Sequence, residues 1–274
     1  MGRPILVGAV IYEPKVAVIW DTIKDFFAAE GLPIDCVFYS NYELQVEALL
    51  EGHIHIAWNS PLAWVDAQRR TAGRCRALAM RDTDRDRVTR VVVRKDAGLR
   101  NLEDLRAKVV ATGASDSPQA TLIPLQLLRR HGLLGGRDLE VRRFDVLVGK
   151  HGDHIGGERD ALECLKRGEA HAACVLDLNW ERWTADGTAD PAQLTVLATT
   201  PTFDHCNFTV GERFPEEQGR QWTEVLFRMS YDNPAHREMM DLEGLKAWLP
   251  GRTTGYDILT EAARDQRFFE GAAP

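Results

Sequence analysis

The chain has 274 residues, a formal net charge of −7, and apolar and charged fractions of 44% and 27%. This length permits one large domain or two lobes, and either can bury a real hydrophobic core. The acidic charge and the lack of a basic run argue against a nucleic-acid partner. No stretch approaches the roughly 18 apolar residues of a membrane span, so we expect no segment inserted in a bilayer.

The five cysteines are odd in number and widely spaced, and no CxxC occurs. This pattern excludes a disulfide framework and a zinc ribbon, and it weakly suits a reducing compartment. The segment Met1–Pro4 runs straight into an apolar strand without the features of a signal peptide. We therefore expect a cytoplasmic location for the chain as given, or a periplasmic one if a leader has been removed.

Apolar runs and helical spacing alternate along the first third of the chain. The predicted strands are Ile5–Ile11, Ile34–Tyr39, His55–Trp58, Leu78–Arg81 and Val88–Arg94. The predicted helices are Val16–Glu30, Tyr42–Leu50 and Pro61–Ala72, with Gly31, Gly52 and Gly73 after or near their ends.

A second alternating series follows. Its predicted strands are Val109–Thr112, Leu139–Phe144, Ala172–Leu176 and Leu194–Ala198. Its predicted helices are Leu102–Ala107, Gln119–His131, Glu158–Arg167 and Leu178–Thr184. The remainder is a short strand, Phe208–Val210, and three helices, Pro215–Ser230, Pro234–Glu243 and Tyr256–Arg267.

Two such series predict an α/β fold with two lobes, each a sheet flanked by helices. The first lobe would comprise residues 1–92 with 205–274, and the second residues 96–200. Two extended crossings, near 89–95 and 199–209, would form a hinge. Because a cleft beneath a hinge can close on a small molecule, we expect the ligand in an interlobe cleft.

Three segments resemble the type II periplasmic-binding-protein superfamily, in its phosphate/phosphonate-binding (PhnD-like) branch: Tyr42–Val65, Val109–Pro124 and Gly157–Asp177. The resemblance implies a two-lobed binder of a small anionic or polar ligand, with transporter membrane subunits as partners if the chain is exported. The family's hydroxyl-rich turn is Ser115-Asp116-Ser117 here. Asp116 would repel a dianionic phosphonate if its carboxylate pointed inward.

The first candidate site is the mouth of the helix after Val109–Thr112. Hydroxyl and amide groups there, with the free N–H groups of a helix start, would hold an anion. The alternative is that Ser117 only caps the helix, with Pro118 in its first position. The expected ligand-binding residues of this site are Ser115, Asp116, Ser117, Gln119 and Thr121.

Further candidates follow the carboxyl ends of strands, where open α/β sheets bind ligands. In the first lobe these are Tyr12, Tyr42, Asn59, Ser60 and Trp64, and in the second lobe Asp177. Each has a structural alternative, since Asn59 and Ser60 suit a turn, Trp64 suits packing and Asp177 suits a helix cap.

The stretch 149–158 is rich in glycine and holds His151, His154 and Glu158. We expect His151 and His154 to contact the ligand. A metal set of His151, His154 and His205, completed by Glu158, Asp204 or Cys206, would suit zinc or iron. The alternative is that these groups hydrogen-bond a ligand or each other, because the spacing fits no established zinc motif.

Two functions remain open from the sequence. The first is a protein that closes on a phosphonate, phosphate-ester or carboxylate-like anion. The alternative is a cytoplasmic enzyme of the lyase, decarboxylase or metal-dependent oxygenase type, with His151, His154, His205 and Glu158 as catalytic residues. No P-loop, nucleophile elbow or dinucleotide fingerprint occurs in the chain.

Overall fold

The computed structural model describes residues 3–153 and 155–270. The chain forms two compact units, which we call unit 1 (Met1–Arg85 with Asp204–Tyr256) and unit 2 (Asp86–Phe203 with Asp257–Pro274). No helix in the described ranges has both the length and the apolar character needed to cross a membrane.

The strands are β1 (Ile5–Val10), β2 (Ile34–Tyr39), β3 (Ile56–Asn59), β4 (Arg76–Arg81), β5 (Thr89–Arg94), β6 (Val109–Thr112), β7 (Glu140–Arg143), β8 (Ala172–Leu176), β9 (Leu194–Thr199), β10 (Asn207–Val210) and β11 (Trp248–Pro250). The α-helices are α1 (Lys15–Ala29), α2 (Tyr42–Glu51), α3 (Pro61–Arg70), α4 (Ile123–Arg130), α5 (Glu158–Lys166), α6 (Asp177–Ala185), α7 (Glu216–Leu226), α8 (Pro234–Glu243) and α9 (Asp257–Asp265).

Unit 1 is built on a six-stranded sheet in the order β11-β4-β10-β3-β1-β2. Strand β1 pairs in parallel with β2 and β3, and β10 is antiparallel to β3. Phe208 of β10 lies at the centre of an aromatic core, with its ring 4.6 Å from those of Trp58 and Trp222 and 5.4 Å from that of Trp248. Such large buried rings supply much of the apolar area that stabilises the unit.

Unit 2 is built on a five-stranded sheet in the order β7-β6-β8-β5-β9. Strands β7, β6 and β8 are mutually parallel, whereas β5 runs antiparallel to β8 and β9. Val91, Val92 and Val93 of β5 are completely buried, as expected of a strand covered on both faces. Because β5 is antiparallel to β8, the start of β5 lies at the same sheet edge as the carboxyl ends of β6 and β8.

The units differ from the predicted lobes in two places. The predicted crossing at 89–95 is β5, an inner strand of the unit 2 sheet. The C-terminal helix α9 belongs to unit 2, because Glu261 accepts hydrogen bonds from Gln126 and Arg130 of α4. The chain thus passes between the units three times, after Arg85, after Phe203 and after Tyr256.

Most predicted elements form, with local differences. The segment Pro118–Leu122 is a π-helical turn before α4, and Leu102–Leu105 is a 3-10 turn rather than an α-helix. Strand β11, which begins at Trp248, was not predicted. Helix α7 ends at Leu226, four residues before the predicted end.

Candidate functional site

The turn after β6 begins with a cap. The Ser117 hydroxyl accepts a hydrogen bond from the Ala120 N–H at 3.1 Å, and Pro118 takes the first helical position. The Ser117 carbonyl accepts from the N–H groups of both Thr121 and Leu122, at 3.1 and 3.0 Å. The structure therefore shows the capping role of Ser117. It also shows that three N–H groups of this turn are already used inside the protein.

A glycine-rich loop packs against this turn. The Asp116 Oδ2 atom accepts from the N–H groups of Gly149, at 2.6 Å, and His151, at 3.2 Å, and Gln119 Nε2 donates to the Gly152 carbonyl at 2.9 Å. Gly152 has φ +75°, and a Cβ atom there would lie 2.4 Å from Ser117 Oγ. Only glycine fits such a position, so the loop 149–152 depends on it.

Three buried oxygen atoms of the turn have no hydrogen-bond partner among the described residues. They are Asp116 Oδ1, Gln119 Oε1 and Thr121 Oγ1. The three residues are between 1% and 3% exposed. Because an unpaired buried polar atom costs roughly 1–3 kcal/mol, the three atoms on one turn make it the candidate for ligand contact.

Glu158 lies close to the same turn, at the start of α5. Its neighbour Gly157 has φ +72°, and a Cβ atom there would overlap the Phe144 carbonyl. Glu158 is 1% exposed, and its Oε1 atom accepts from Leu176 N–H at 2.7 Å and Asn179 Nδ2 at 3.0 Å. Its Oε2 atom has no partner in the described part of the chain. Burial raises the pKa of Glu158 to about 7, although both hydrogen bonds oppose the rise.

Asp177 is the residue immediately after β8. Its Oδ2 atom lies 3.4 Å from Arg87 Nη1, and its Oδ1 atom is buried without a partner among residues 3–153 and 155–270. Burial raises the pKa of Asp177, and Arg87 partly opposes this. Thr89 donates to the Gln119 carbonyl at 2.6 Å and so ties the start of β5 to the turn. The carboxyl edge of the unit 2 sheet therefore carries several buried acceptors.

In unit 1, the predicted residues after the strands are mainly buried. Gln45 Nε2 donates to the Trp58 carbonyl and to Asn59 Oδ1, both at 2.8 Å, and Asn59 Nδ2 has no partner in the described ranges. Ser60 caps α3 by accepting from Ala63 N–H at 3.1 Å. Trp64 is 2% exposed, and its ring packs 5.6 Å from that of Tyr256. The structure thus shows the capping and packing roles of Ser60 and Trp64.

Two tyrosines were also predicted to contact the ligand. Tyr42, at the start of α2, is 1% exposed, whereas Tyr12 is half-buried after β1. Ligand contact by either residue, and by Asn59, stays a prediction.

The described residues bring Asp84, His205 and Cys206 of unit 1 within reach of one metal ion. Asp84 is a poor ligand there, because its two oxygens already accept four hydrogen bonds from N–H groups. Three come from Arg81, through N, Nε and Nη2, and one comes from Cys206 N–H. Burial alone would raise the pKa of Asp84, but Arg81 outweighs it and the pKa lies at about 2. The Arg81 guanidinium would also repel a cation at this place.

The predicted histidine metal set is divided between the units. His205 lies in unit 1 and His151 in unit 2, while His154 lies outside the described residues. His151 is 4% exposed with φ +51°, and its N–H is bound by Asp116. The metal site, with zinc or iron, stays a prediction, and so do the ligand contacts of His151 and His154.

Several residues of these edges were not predicted from the sequence. Gln45 orients Asn59, Thr89 ties β5 to the turn, and Asn179 holds Glu158. A polar residue on the otherwise apolar face of α2 was the available signal for Gln45. Thr89 and Asn179 carry no comparable signal, because ordinary strands and helices contain such residues.

A family model described as "ABC transporter, phosphonate, periplasmic substrate-binding protein" matches residues 12–256. The chain belongs to this family. Members are substrate-binding components of ABC transporters, and they are normally periplasmic. The family assignment confirms the resemblance stated from the sequence, and it makes this chain a small-ligand-binding protein. Nothing in the comparisons supports the enzyme alternative.

Solved structures with low sequence identity share the fold. PhnD1 of Prochlorococcus marinus in complex with methylphosphonate has a TM-score of 0.70 at 17% identity, covering 96% of this chain and 98% of its own. XAC2383 of Xanthomonas citri bound to ATP scores 0.72 at 16% identity, covering 99% and 100%. The Escherichia coli aliphatic sulphonate binding protein SsuA scores 0.61 at 14% identity, covering 98% and 88%. These matches confirm the predicted two-lobed α/β class.

One curated relative is an uncharacterized protein of Haemophilus influenzae, 64% identical over 31 residues. The match covers 11% of this chain and 44% of that relative. It therefore adds nothing about the ligand.

Proposed function

We propose that this chain is the substrate-binding subunit of an uptake transporter, and that its ligand is a small phosphonate-type anion that also carries an amine. The observation behind the proposal is the pair of buried carboxyl groups, Glu158 and Asp177, at the carboxyl edge of the unit 2 sheet. Each keeps one oxygen atom without a partner among the described residues. A ligand ammonium group would supply both missing donors, and it would supply a positive charge to Glu158, whereas Asp177 already lies near Arg87.

The anionic end of the ligand is supported by the family and by a relative. The description of the family names phosphonate. PhnD1, which has a similar fold, is in complex with methylphosphonate. In this chain we assign that end to Ser115, Ser117 and His151. We assign the amine to Glu158 and Asp177. The backbones of the two segments are close, because a Cβ atom on Gly113, before the serines, would lie 3.7 Å from Glu158 N.

A matched pair of ligands tests the amine. Ethylphosphonate and 2-aminoethylphosphonate differ only in that group, and calorimetric titration measures their affinities. We expect the amine to improve binding by about 10- to 100-fold, since a hydrogen bond to a charged group contributes about 1.5–3 kcal/mol. Glu158→Gln should remove most of this preference. Glu103→Gln, which changes an exposed carboxylate of the same unit, should keep it.

Two results would count against the proposal. Equal affinity of the two phosphonates would reject the amine. Failure of the whole phosphonate panel to bind would reject the ligand class. Phosphorus NMR of a ligand incubated with the protein checks the enzyme alternative, and we expect the ligand to remain unchanged.

The partners follow from the family. We propose that the ligand-bound chain docks on the membrane subunits of a transporter, outside the cytoplasmic membrane. Fractionation of cells that express the full-length protein from its own gene tests the location. Recovery in the cytoplasm alone would favour the location expected from the sequence as given and would contradict an uptake role.

A further inference from the structure

We propose that Asp116 makes the turn after β6 selective for a head group that carries a proton. The chain would then bind a singly protonated phosphonate and reject a sulfonate of the same charge. This inference rests on the proposed function, because it concerns the anionic end of the same ligand. It goes further by distinguishing phosphonates from sulphonates as ligands of this chain. Proteins of similar fold include a phosphonate complex and a sulphonate-binding protein.

The first step of the argument is the position of a buried charge. Asp116 lies between Ser115 and Ser117, in the turn to which we assign the oxyanion. It is 3% exposed and forms no ion pair within the described residues. A carboxylate in this place repels a fully deprotonated oxyanion, and burial strengthens the repulsion because little water screens it.

The second step is the orientation of the side chains. Asp116 and Gln119 each use one atom to hold the loop 149–152. Gln119 must direct its Nε2 atom at the Gly152 carbonyl, since an oxygen cannot donate. Its Oε1 atom is therefore the one without a partner, and Asp116 Oδ1 and Thr121 Oγ1 also lack one among the described residues. Two of these three atoms can only accept, and the third belongs to a hydroxyl.

The third step is the supply of donors. The N–H groups of Ala120, Thr121 and Leu122 are bound to Ser117. A head group at this turn therefore finds fewer N–H donors, and the carboxylate oxygen of Asp116 and the amide oxygen of Gln119 can only accept from it. The hydroxyl of a monoanionic phosphonate donates one hydrogen bond and meets this need. A sulfonate has no proton to donate, so Asp116 Oδ1 stays unpaired and faces a negative oxygen.

The experiment compares methylphosphonate with methanesulfonate, which are close in shape. It uses one mildly acidic pH at which both are monoanions, so that only the ligand proton differs. The use of a single pH also keeps the same conditions for every titratable group around the turn, so that their protonation does not change between the two titrations. These groups are Asp145, Lys150, His151, Asp153 and Glu158. We expect the wild-type protein to prefer methylphosphonate by about tenfold or more, as one charged hydrogen bond predicts.

Asp116→Asn is the decisive variant. The Asn oxygen can still accept from Gly149 and His151, while its Nδ2 atom replaces the acceptor with a donor. We expect methanesulfonate to bind this variant within about threefold of methylphosphonate. Ser117→Ala is the comparison, because loss of a hydroxyl should weaken both anions by the same factor and leave their ratio unchanged.

Several results would overturn the inference. One is equal affinity of the wild-type protein for the two anions, and another is an unchanged preference in folded Asp116→Asn. If that variant does not fold, Asp116→Ser supplies the same comparison with a hydroxyl. If the wild-type protein binds neither these two anions nor 2-aminoethylphosphonate, the proposed function fails. If it binds both equally, only the selection by Asp116 fails.

Discussion

Two buried carboxylates of unit 1 and two of unit 2 are stabilised in different ways. In unit 1, Asp84 and Asp204 are each 1% exposed, and each is paired with an arginine. Arg81 reaches Asp84 at 2.7 Å, and Arg252 reaches Asp204 at 2.5 Å. In unit 2, Asp116 and Glu158 are as deeply buried, but neither forms an ion pair in the part of the chain that the structure describes.

The comparison separates structural charges from charges available to a ligand. Burial of a charge costs several kcal/mol unless a partner compensates it. Arg81 gives Asp84 that compensation, and the pKa of Asp84 is low. Glu158 has only N–H donors, and its pKa rises to about 7. A perturbed carboxyl group at the carboxyl edge of a sheet is a candidate for ligand contact, which supports the assignment to unit 2.

The largest predicted effect comes from breaking the compensation in unit 1. Arg81→Met leaves Asp84 buried without its cation, and we expect a loss of about 3–5 kcal/mol in the free energy of unfolding, measured by urea denaturation. Arg74→Met is the control, because Arg74 and Glu212 form an exposed pair that contributes about 1 kcal/mol or less. Equal losses in the two variants would mean that Asp84 needs no partner.

The next effect concerns Glu158 and pH. Its pKa is 4.5 when exposed and about 7 in the folded protein, so the folded state binds the proton more tightly. The contribution of this proton to stability is complete below pH 4.5 and is lost as the pH rises towards 7. The loss amounts to about 3 kcal/mol.

Glu158→Gln tests this assignment by denaturant unfolding across that pH window. The amide keeps an acceptor for Leu176 and Asn179, so we expect the variant to lack this loss and to exceed the wild-type protein in stability above pH 7. If the free energy of unfolding depends on pH in the same way in both proteins, the Glu158 charge is hydrated or paired in the folded protein.

The parallel strands and the residues around them could be predicted from the sequence. Runs such as Val109–Thr112 have the continuous apolar pattern of strands buried on both faces, and Gly31 and Gly52 marked the ends of α1 and α2. The positions of two polar residues were also predicted, since Glu158 begins α5 and Asp177 directly follows β8. Their contact with a ligand stays a prediction.

The chemistry of the turn could not be predicted. A Ser-Asp-Ser sequence suggests donors for an anion, but the Ser117 carbonyl and hydroxyl take three N–H groups, and Asp116 takes those of the loop. These bonds depend on the π-helical turn at Pro118–Leu122, which has no clear sequence pattern. The assignment of α9 to unit 2 depends on pairing with α4, a contact between residues far apart in the sequence.

The smallest predicted effect compares two helix caps. Asn41 accepts from Leu44 N–H at 2.9 Å in unit 1, and Ser117 accepts from Ala120 N–H at 3.1 Å in unit 2. Replacement of either by alanine should cost about 1 kcal/mol in stability, because each loses one capping bond. Only Ser117→Ala should also weaken methylphosphonate binding, measured by calorimetry in both variants. An equal loss of methylphosphonate affinity in Asn41→Ala would show that any loss of stability weakens binding. The affinity data would then give no reason to assign the ligand to unit 2.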